Sequence, residues 1–237
     1  MPFENLIEAR NLRGGYGSVP VVRDLNLVVK AGEVVVLLGA NGAGKSTTLL
    51  TLAGWLKPLS GEVLWKGQRT TSFLDRRAKM GSALITEDRS VFMGLTVEAN
   101  LRVGKADKEQ AMSLFPELKP LLKRKAGVLS GGEQQILTLA RALARSPELL
   151  LADELSLGLA PLVVERLLVA VRSAADSGLG VLLVEQHAHL ALEVADRAYV
   201  LRRGVVQFEG SGTDLVDRFD EIQNAYLAMP NESSKGT

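Results

Sequence analysis

Gly39-Ala40-Asn41-Gly42-Ala43-Gly44-Lys45-Ser46 is the stretch on which the fold of this 237-residue chain turns. An apolar run, Glu33 to Leu38, leads into it, and a helix-compatible run, Thr47 to Leu56, leaves it. Strand, glycine-rich loop, Lys-Ser and helix, in that order, make the phosphate-binding loop pattern. The glycines let consecutive backbone N–H groups turn toward one anion, and the start of the following helix adds its positive dipole. Lys45 is then placed to bridge the β- and γ-phosphates of ATP, and Ser46 offers a hydroxyl to Mg²⁺. The predicted nucleotide contacts of the loop are Gly39, Asn41, Gly42, Ala43, Gly44, Lys45, Ser46 and Thr47.

Outward from the loop, Leu149 to Ala152 and Val181 to Val184 are further short apolar runs bounded by polar residues or glycine. They read as buried strands alternating with longer helical patterns, which predicts an α/β fold with a mostly parallel core sheet covered by helices. The start of the chain, to about residue 30, and the segment Gly61 to Gln68 differ, because Glu62-Val63-Leu64-Trp65 is a short strand ending at the turn signal Lys66-Gly67. These predict an antiparallel β subdomain beside the parallel core. From Leu95 to Arg145 the pattern is helical and broken by Pro116 and Pro120, a small helical subdomain. The expectation is one domain over residues 1–237, with the helical part at about 90–145 and a polar end at about 230–237 that frays.

With 46% hydrophobic and 23% charged residues and a formal net charge of +1, the composition is that of an ordinary soluble globular protein and carries no signal of nucleic-acid binding. A membrane-spanning helix needs about 20 mostly apolar residues. The apolar stretch Val163 to Ala175 is interrupted by Glu165, Arg166 and Arg172. The start MPFENLIEAR lacks the layout of a signal peptide, so a cytoplasmic location is expected. With no cysteine there are no disulfides and no thiolate metal sites.

Leu149-Leu150-Leu151-Ala152 ends in Asp153-Glu154, and the carboxyl end of a strand is where an open α/β sheet puts its ligand site. Alone, two such acids are more often a solvated turn. Downstream of a phosphate loop they read as Asp153 holding Mg²⁺ and Glu154 polarising the attacking water. Leu129-Ser130-Gly131-Gly132-Glu133-Gln134 opens a helix whose apolar residues Ile136, Leu139, Ala140 and Leu143 recur at helical spacing. Ser130, Gly131, Gly132 and Glu133 therefore sit at a helix N-terminus, a second potential anion site, although alone it reads as a capped helix.

Phosphate loop, LSGGE and Asp-Glu in this order resemble the nucleotide-binding subunits of ABC transporters, whose signature is LSGGQ; the resemblance runs from Tyr16 to about Tyr226. It implies a head-to-tail dimer in which the signature of one subunit meets the γ-phosphate on the phosphate loop of the other. It also implies transmembrane permease subunits as partners and places Tyr16 where the family stacks an aromatic ring on adenine. Glu87 stands where the family has a glutamine that reaches Mg²⁺ and the attacking water, so Glu87 becomes a candidate metal ligand. Gln186 stands where the family has a histidine at the γ-phosphate, with His187 next to it, and Ala160 stands where an aspartate crosses the dimer interface.

Glu87, the segment Ser156-Leu157-Gly158-Leu159-Ala160-Pro161, the run Val184-Glu185-Gln186 and the ending Ala225-Tyr226-Leu227 resemble one subgroup, the smaller ATPase of branched-chain amino acid importers and its relatives for urea and amides. Leu155 is unusual there. The resemblance implies an ATP-hydrolysing subunit at the cytoplasmic face of the membrane. Its partners would be a second ATPase of the same or a related kind, permeases and, indirectly, a solute-binding protein. Two other readings stay open: a soluble ABC ATPase of translation or DNA maintenance, and a regulatory cassette with little turnover.

Overall fold

The computed structural model describes residues 5–88, 90–185 and 188–218. Gln186, His187, the ending Ala225-Tyr226-Leu227 and the polar end from Pro230 lie outside the described residues.

The described residues form two sheets, flanked by helices. Strands β1 (Asn5–Tyr16), β2 (Val19–Lys30), β4 (Ser60–Trp65) and β5 (Gln68–Arg69) make an antiparallel sheet in the order β2-β1-β4-β5. Lys66 and Gly67 both have positive φ, 49° and 75°, as a two-residue hairpin turn between β4 and β5 requires. The second sheet runs β10-β9-β3-β8-β7-β6, built from β3 (Val34–Gly39), β6 (Ser82–Ile85), β7 (Leu149–Asp153), β8 (Gly180–Glu185), β9 (Arg197–Arg202) and β10 (Val205–Ser211). Only its edge strand β10 is antiparallel.

The apolar runs are continuous because both faces of this sheet are covered. Val34, Val36 and Leu38 of β3 point into one core with Leu150, Ala152, Val181 and Leu183. Val35 and Leu37 point into the other with Leu149, Leu151, Leu182 and Val184. The first core is closed by the long helices α5 (Gly131–Leu143) and α6 (Pro161–Asp176), and the second by the antiparallel sheet and α1 (Lys45–Ala53). Helix α1 starts two residues earlier and stops three residues sooner than Thr47 to Leu56. Gly54 at φ 79° accepts the left-handed C-terminal cap, and a Cβ there would lie 2.5 Å from the Ser72 carbonyl.

Among the described residues, four short helices, α2 (Leu74–Lys79), α3 (Val97–Val103), α4 (Lys108–Leu114) and, after β8, α7 (Ala188–Glu193), precede a fifth, α8 (Gly212–Asp217). Pro116 and Pro120 fall in a 3₁₀ turn, Pro116–Leu121, between α4 and α5. Leu101, Phe115, Leu118 and Leu121 tie this helical segment to the first core. Asn100, fully buried, locks the preceding loop by accepting from Phe92 N–H (2.8 Å) and donating to the carbonyls of Phe92, Leu95 and Thr96. Among the described residues no helix is long and apolar enough to cross a membrane.

Candidate nucleotide site

The site is assembled at the carboxyl ends of β3, β7 and β8, where parallel strands leave their loops on one edge of the sheet. From β3 the chain turns through Gly42 (φ 77°) and Gly44 (φ 105°) into α1. Side chains at either position would be strained. Outside the loop, Gly204 between β9 and β10 donates its N–H to the Ala43 carbonyl (2.9 Å) and accepts from Arg23 N–H (2.8 Å). The loop is thereby stitched to β2, a contact that no sequence pattern announces.

Lys45, only 5% exposed, reaches back across the loop to the Gly39 carbonyl (2.7 Å) and lies 3.9 Å from the Glu154 carboxylate. Burial lowers its pKa, and the carboxylates of Glu154, Asp153, Glu185 and Glu87 pull it back up. The lysine is thus a cation within the electrostatic reach of four acids. Ser46 donates its hydroxyl to Asp153, whose carboxyl is raised chiefly by burial, with that hydrogen bond opposing and Glu154 adding to the rise. Among the described residues, Asp153 Oδ1 is buried without a hydrogen-bond partner.

An orphaned carboxylate oxygen beside a hydroxyl is a hard-oxygen pair that fits Mg²⁺, which takes one or two protein ligands and fills its octahedron with water and phosphate oxygens. Among the described residues no group of three or more His, Asp or Glu side chains forms a metal cage. Exposed Glu87, which follows β6 in the loop after Ile85, acts electrostatically on both Lys45 and Asp153.

Glu154 has φ 49°, a left-handed conformation that costs a non-glycine residue about 1 kcal/mol or more. Its N–H donates to the Val184 carbonyl (2.8 Å), and Leu155 behind it is 2% exposed in the first core. Leu155, unusual by comparison with the subgroup, is therefore an anchor for this turn. Ala160 is the N-cap of α6, ahead of Pro161, and its methyl group makes no cap.

Tyr16 ends β1 opposite Val19 and is 54% exposed. Two residues before it, Gly14 approaches α1 so closely that a Cβ would meet Thr51 Oγ1 at 3.0 Å and Thr47 Cγ2 at 3.6 Å. That packing brings the hairpin carrying Tyr16 against the phosphate-loop helix, where Thr47 is buried. Ser130 caps α5 through a capping box: Glu133 N–H donates to Ser130 Oγ (3.2 Å) and Ser130 N–H to Glu133 Oε2 (2.7 Å). The Glu133 carboxylate is thus engaged at its own helix start. A Cβ on Gly132 would press on Val163 of α6 at 3.1 Å, so this turn packs on α6. Gln186 and His187 follow directly on β8, outside the described residues.

Residues 22–156, more than half of the chain, match the ABC transporter family. The chain belongs to the ABC transporter family.

As such it is an ATP-binding ATPase subunit, of a kind that dimerises and works with transmembrane permeases. The ABC protein is 40% identical over 222 residues to the high-affinity branched-chain amino acid transport ATP-binding protein BraG of Pseudomonas aeruginosa, covering 90% of this chain and 95% of the relative. It is 36% identical over 230 residues to the probable branched-chain amino acid transport ATP-binding protein LivF of Archaeoglobus fulgidus, covering 92% and 98%. Among solved structures, an ATP-binding subunit of an ABC transporter superposes with a TM-score of 0.80 at 29% identity, over 94% of this chain and 99% of that one.

Glu185 and Ser156 lie beside the candidate site, and the motif reading uses them only as marks of a subgroup, without a role. Glu185 is 2% exposed, and burial pushes its carboxyl up to about 7 even though Ser156 donates to it twice. A carboxyl raised in the folded state holds its proton there after the unfolded chain has released it. Its stabilisation is complete below about 4.5 and gone above about 7, on the order of 3 kcal/mol. Glu185→Gln should therefore match wild type in urea midpoint at pH 5 and exceed it at pH 8. Equal midpoints at both pH values would contradict this.

Proposed function

We propose that two copies of this chain, or this chain and a close paralogue, close head to tail over two ATP molecules and drive import of branched-chain amino acids through a permease. The whole chain is then one ATPase domain, held at the cytoplasmic face of the membrane by its permease and fed by a solute-binding protein. The observation that carries the reading is the orphaned Asp153 Oδ1 beside Ser46, under Lys45 and next to the strained Glu154.

In this reading the glycine-loop amides and Lys45 hold the β- and γ-phosphates, Tyr16 stacks on adenine, and Ser130, Gly131 and Gly132 of the partner subunit close on the γ-phosphate. Ser46 and Asp153, with Glu87 near, would hold Mg²⁺, which when bound draws charge off the phosphate oxygens. Glu154 accepts the proton of the attacking water as the γ-phosphoryl group leaves ADP. Gln186 or His187 would read the γ-phosphate from the end of β8.

A groove of about 710 Å³ supports the permease contact. It runs between the core and the helical segment, lined by Trp55, Leu74, Leu84, Asp88 and Arg141, close to Glu87. Trp55 is 61% exposed at its rim, and among the described residues Arg141 Nε is buried there without a hydrogen-bond partner. An apolar groove with an unsatisfied donor suits a short helix of a partner. The substrate reading follows from the likeness to the BraG and LivF proteins.

The test is reconstitution with the permease subunits in vesicles. Phosphate release stimulated by leucine-loaded binding protein, with leucine uptake, is expected. ATP hydrolysis coupled to another solute, with leucine inert, would overturn the substrate.

A further inference from the structure

Glu185 ends β8 on the face it shares with Val181 and Leu183, and both its oxygens are engaged by one residue. Ser156 donates its N–H to Oε1 (3.2 Å) and its hydroxyl to Oε2 (2.6 Å). Ser156 lies two residues beyond Glu154, and Glu154 itself donates its N–H to the carbonyl of Val184, the neighbour of Glu185 (2.8 Å). Two successive residues of β8 therefore hold the chain at and just after the left-handed turn of Glu154, with buried Leu155 between the two holds. An apolar side chain would suit that face of β8 without the desolvation penalty of a carboxylate, but it could not take two hydrogen bonds from the turn.

We propose that Glu185 is a positioning residue for ATP hydrolysis, whose carboxylate clamps Ser156 and so keeps the strained turn that aims Glu154 at the attacking water. The inference rests on the reading of Glu154 as the group that orients that water. Glu185 does not touch the nucleotide; it acts through Ser156 and the backbone of Glu154. Because Glu185 also immediately precedes Gln186 and His187, one side chain joins the strand leading to the γ-phosphate switch to the loop that carries the water-orienting acid.

The experiment is steady-state phosphate release by the full-length chain with its permease subunits, with ATP affinity measured alongside. Ser156→Ala and Glu185→Ala should each lower kcat by about 10- to 100-fold and leave KM for ATP within about twofold. The double variant should be no slower than Glu185→Ala, which already removes both hydrogen bonds, whereas Ser156→Ala removes the hydroxyl bond alone. Glu185→Gln, which still accepts from the Ser156 hydroxyl, should stay within about fivefold of wild type. Losses that multiply in the double variant, or a change confined to KM, would overturn the proposal. Should Glu185→Ala fail to fold, Ser156→Ala and Glu185→Gln carry the same comparison. Wild-type turnover in Ser156→Ala, with turnover abolished in Glu154→Gln, sinks the clamp and leaves the reading of Glu154 standing. Turnover that survives Glu154→Gln sinks that reading and the clamp with it.

Discussion

Glu154→Gln is expected to lower steady-state phosphate release by at least about 100-fold while leaving ATP affinity within about threefold. The amide fills the same volume and leaves the backbone turn at φ 49° and its hydrogen bond to Val184 in place, so the site keeps its shape. What it loses is an acceptor basic enough to take a proton from water. In the proposed role the carboxylate acts on the water and not on the bound nucleotide, so the loss falls on kcat. The variant should therefore hold ATP unhydrolysed, measured as retained nucleotide after rapid desalting. Unchanged phosphate release would remove Glu154 from the mechanism and return the orientation of water to another group.

Lys45→Ala is expected to act on binding and on turnover together. The ammonium sits 2.7 Å from the Gly39 carbonyl at the centre of the glycine loop and is the cation facing Glu154, Asp153, Glu185 and Glu87. Without it the phosphates of ATP would enter a site where the carboxylates of Glu154, Asp153, Glu185 and Glu87 lose that compensating charge. ATP affinity should fall at least about 10-fold and turnover by about 100- to 1,000-fold, as for loss of one preorganised donor to a developing oxyanion. Equilibrium nucleotide binding and phosphate release on the same preparation check both numbers. Affinity equal to wild type would mean that the loop amides alone hold the phosphates.

The strands β3, β7 and β8 are legible in the sequence because a parallel strand covered on both faces needs an uninterrupted apolar run, and little else of that length produces one. The phosphate loop is legible because its glycine spacing is dictated by backbone conformation, as Gly42 and Gly44 confirm. The hairpin at Lys66-Gly67 is legible for the same reason. The end of α1 is less so: the apolar pattern runs on to Leu56, but Gly54 caps the helix, and that glycine was the available signal.

The partners of Glu154 are the opposite case. Glu185 reads as the polar end of an apolar run, and such residues usually meet solvent. Alternation along β8 was the usable clue, since it puts Glu185 on the inward face of Val181 and Leu183, where a carboxylate must find donors. Which donors it finds depends on the loop after β7 folding over the end of β8, a tertiary fact that no local pattern contains. Gly204 under the phosphate loop is hidden in the same way, because the contact spans most of the chain. The likeness of LSGGE to a signature names Glu133, yet its carboxylate serves the helix start, as the serine-to-glutamate spacing of a capping box allows.

In the proposed dimer each site is completed by a second subunit, since Gly132 of the Ser130-Gly131-Gly132 turn packs on α6 while Lys45, Asp153 and Glu154 gather at the strand ends. The most direct measurement is phosphate release per chain across a dilution series, with and without the permease subunits. The rate per chain of the free ATPase is expected to fall on dilution as the dimer dissociates, and that of the assembled transporter to be insensitive. A rate per chain that stays constant in the free ATPase, at concentrations where sedimentation with ATP finds only monomer, would contradict it.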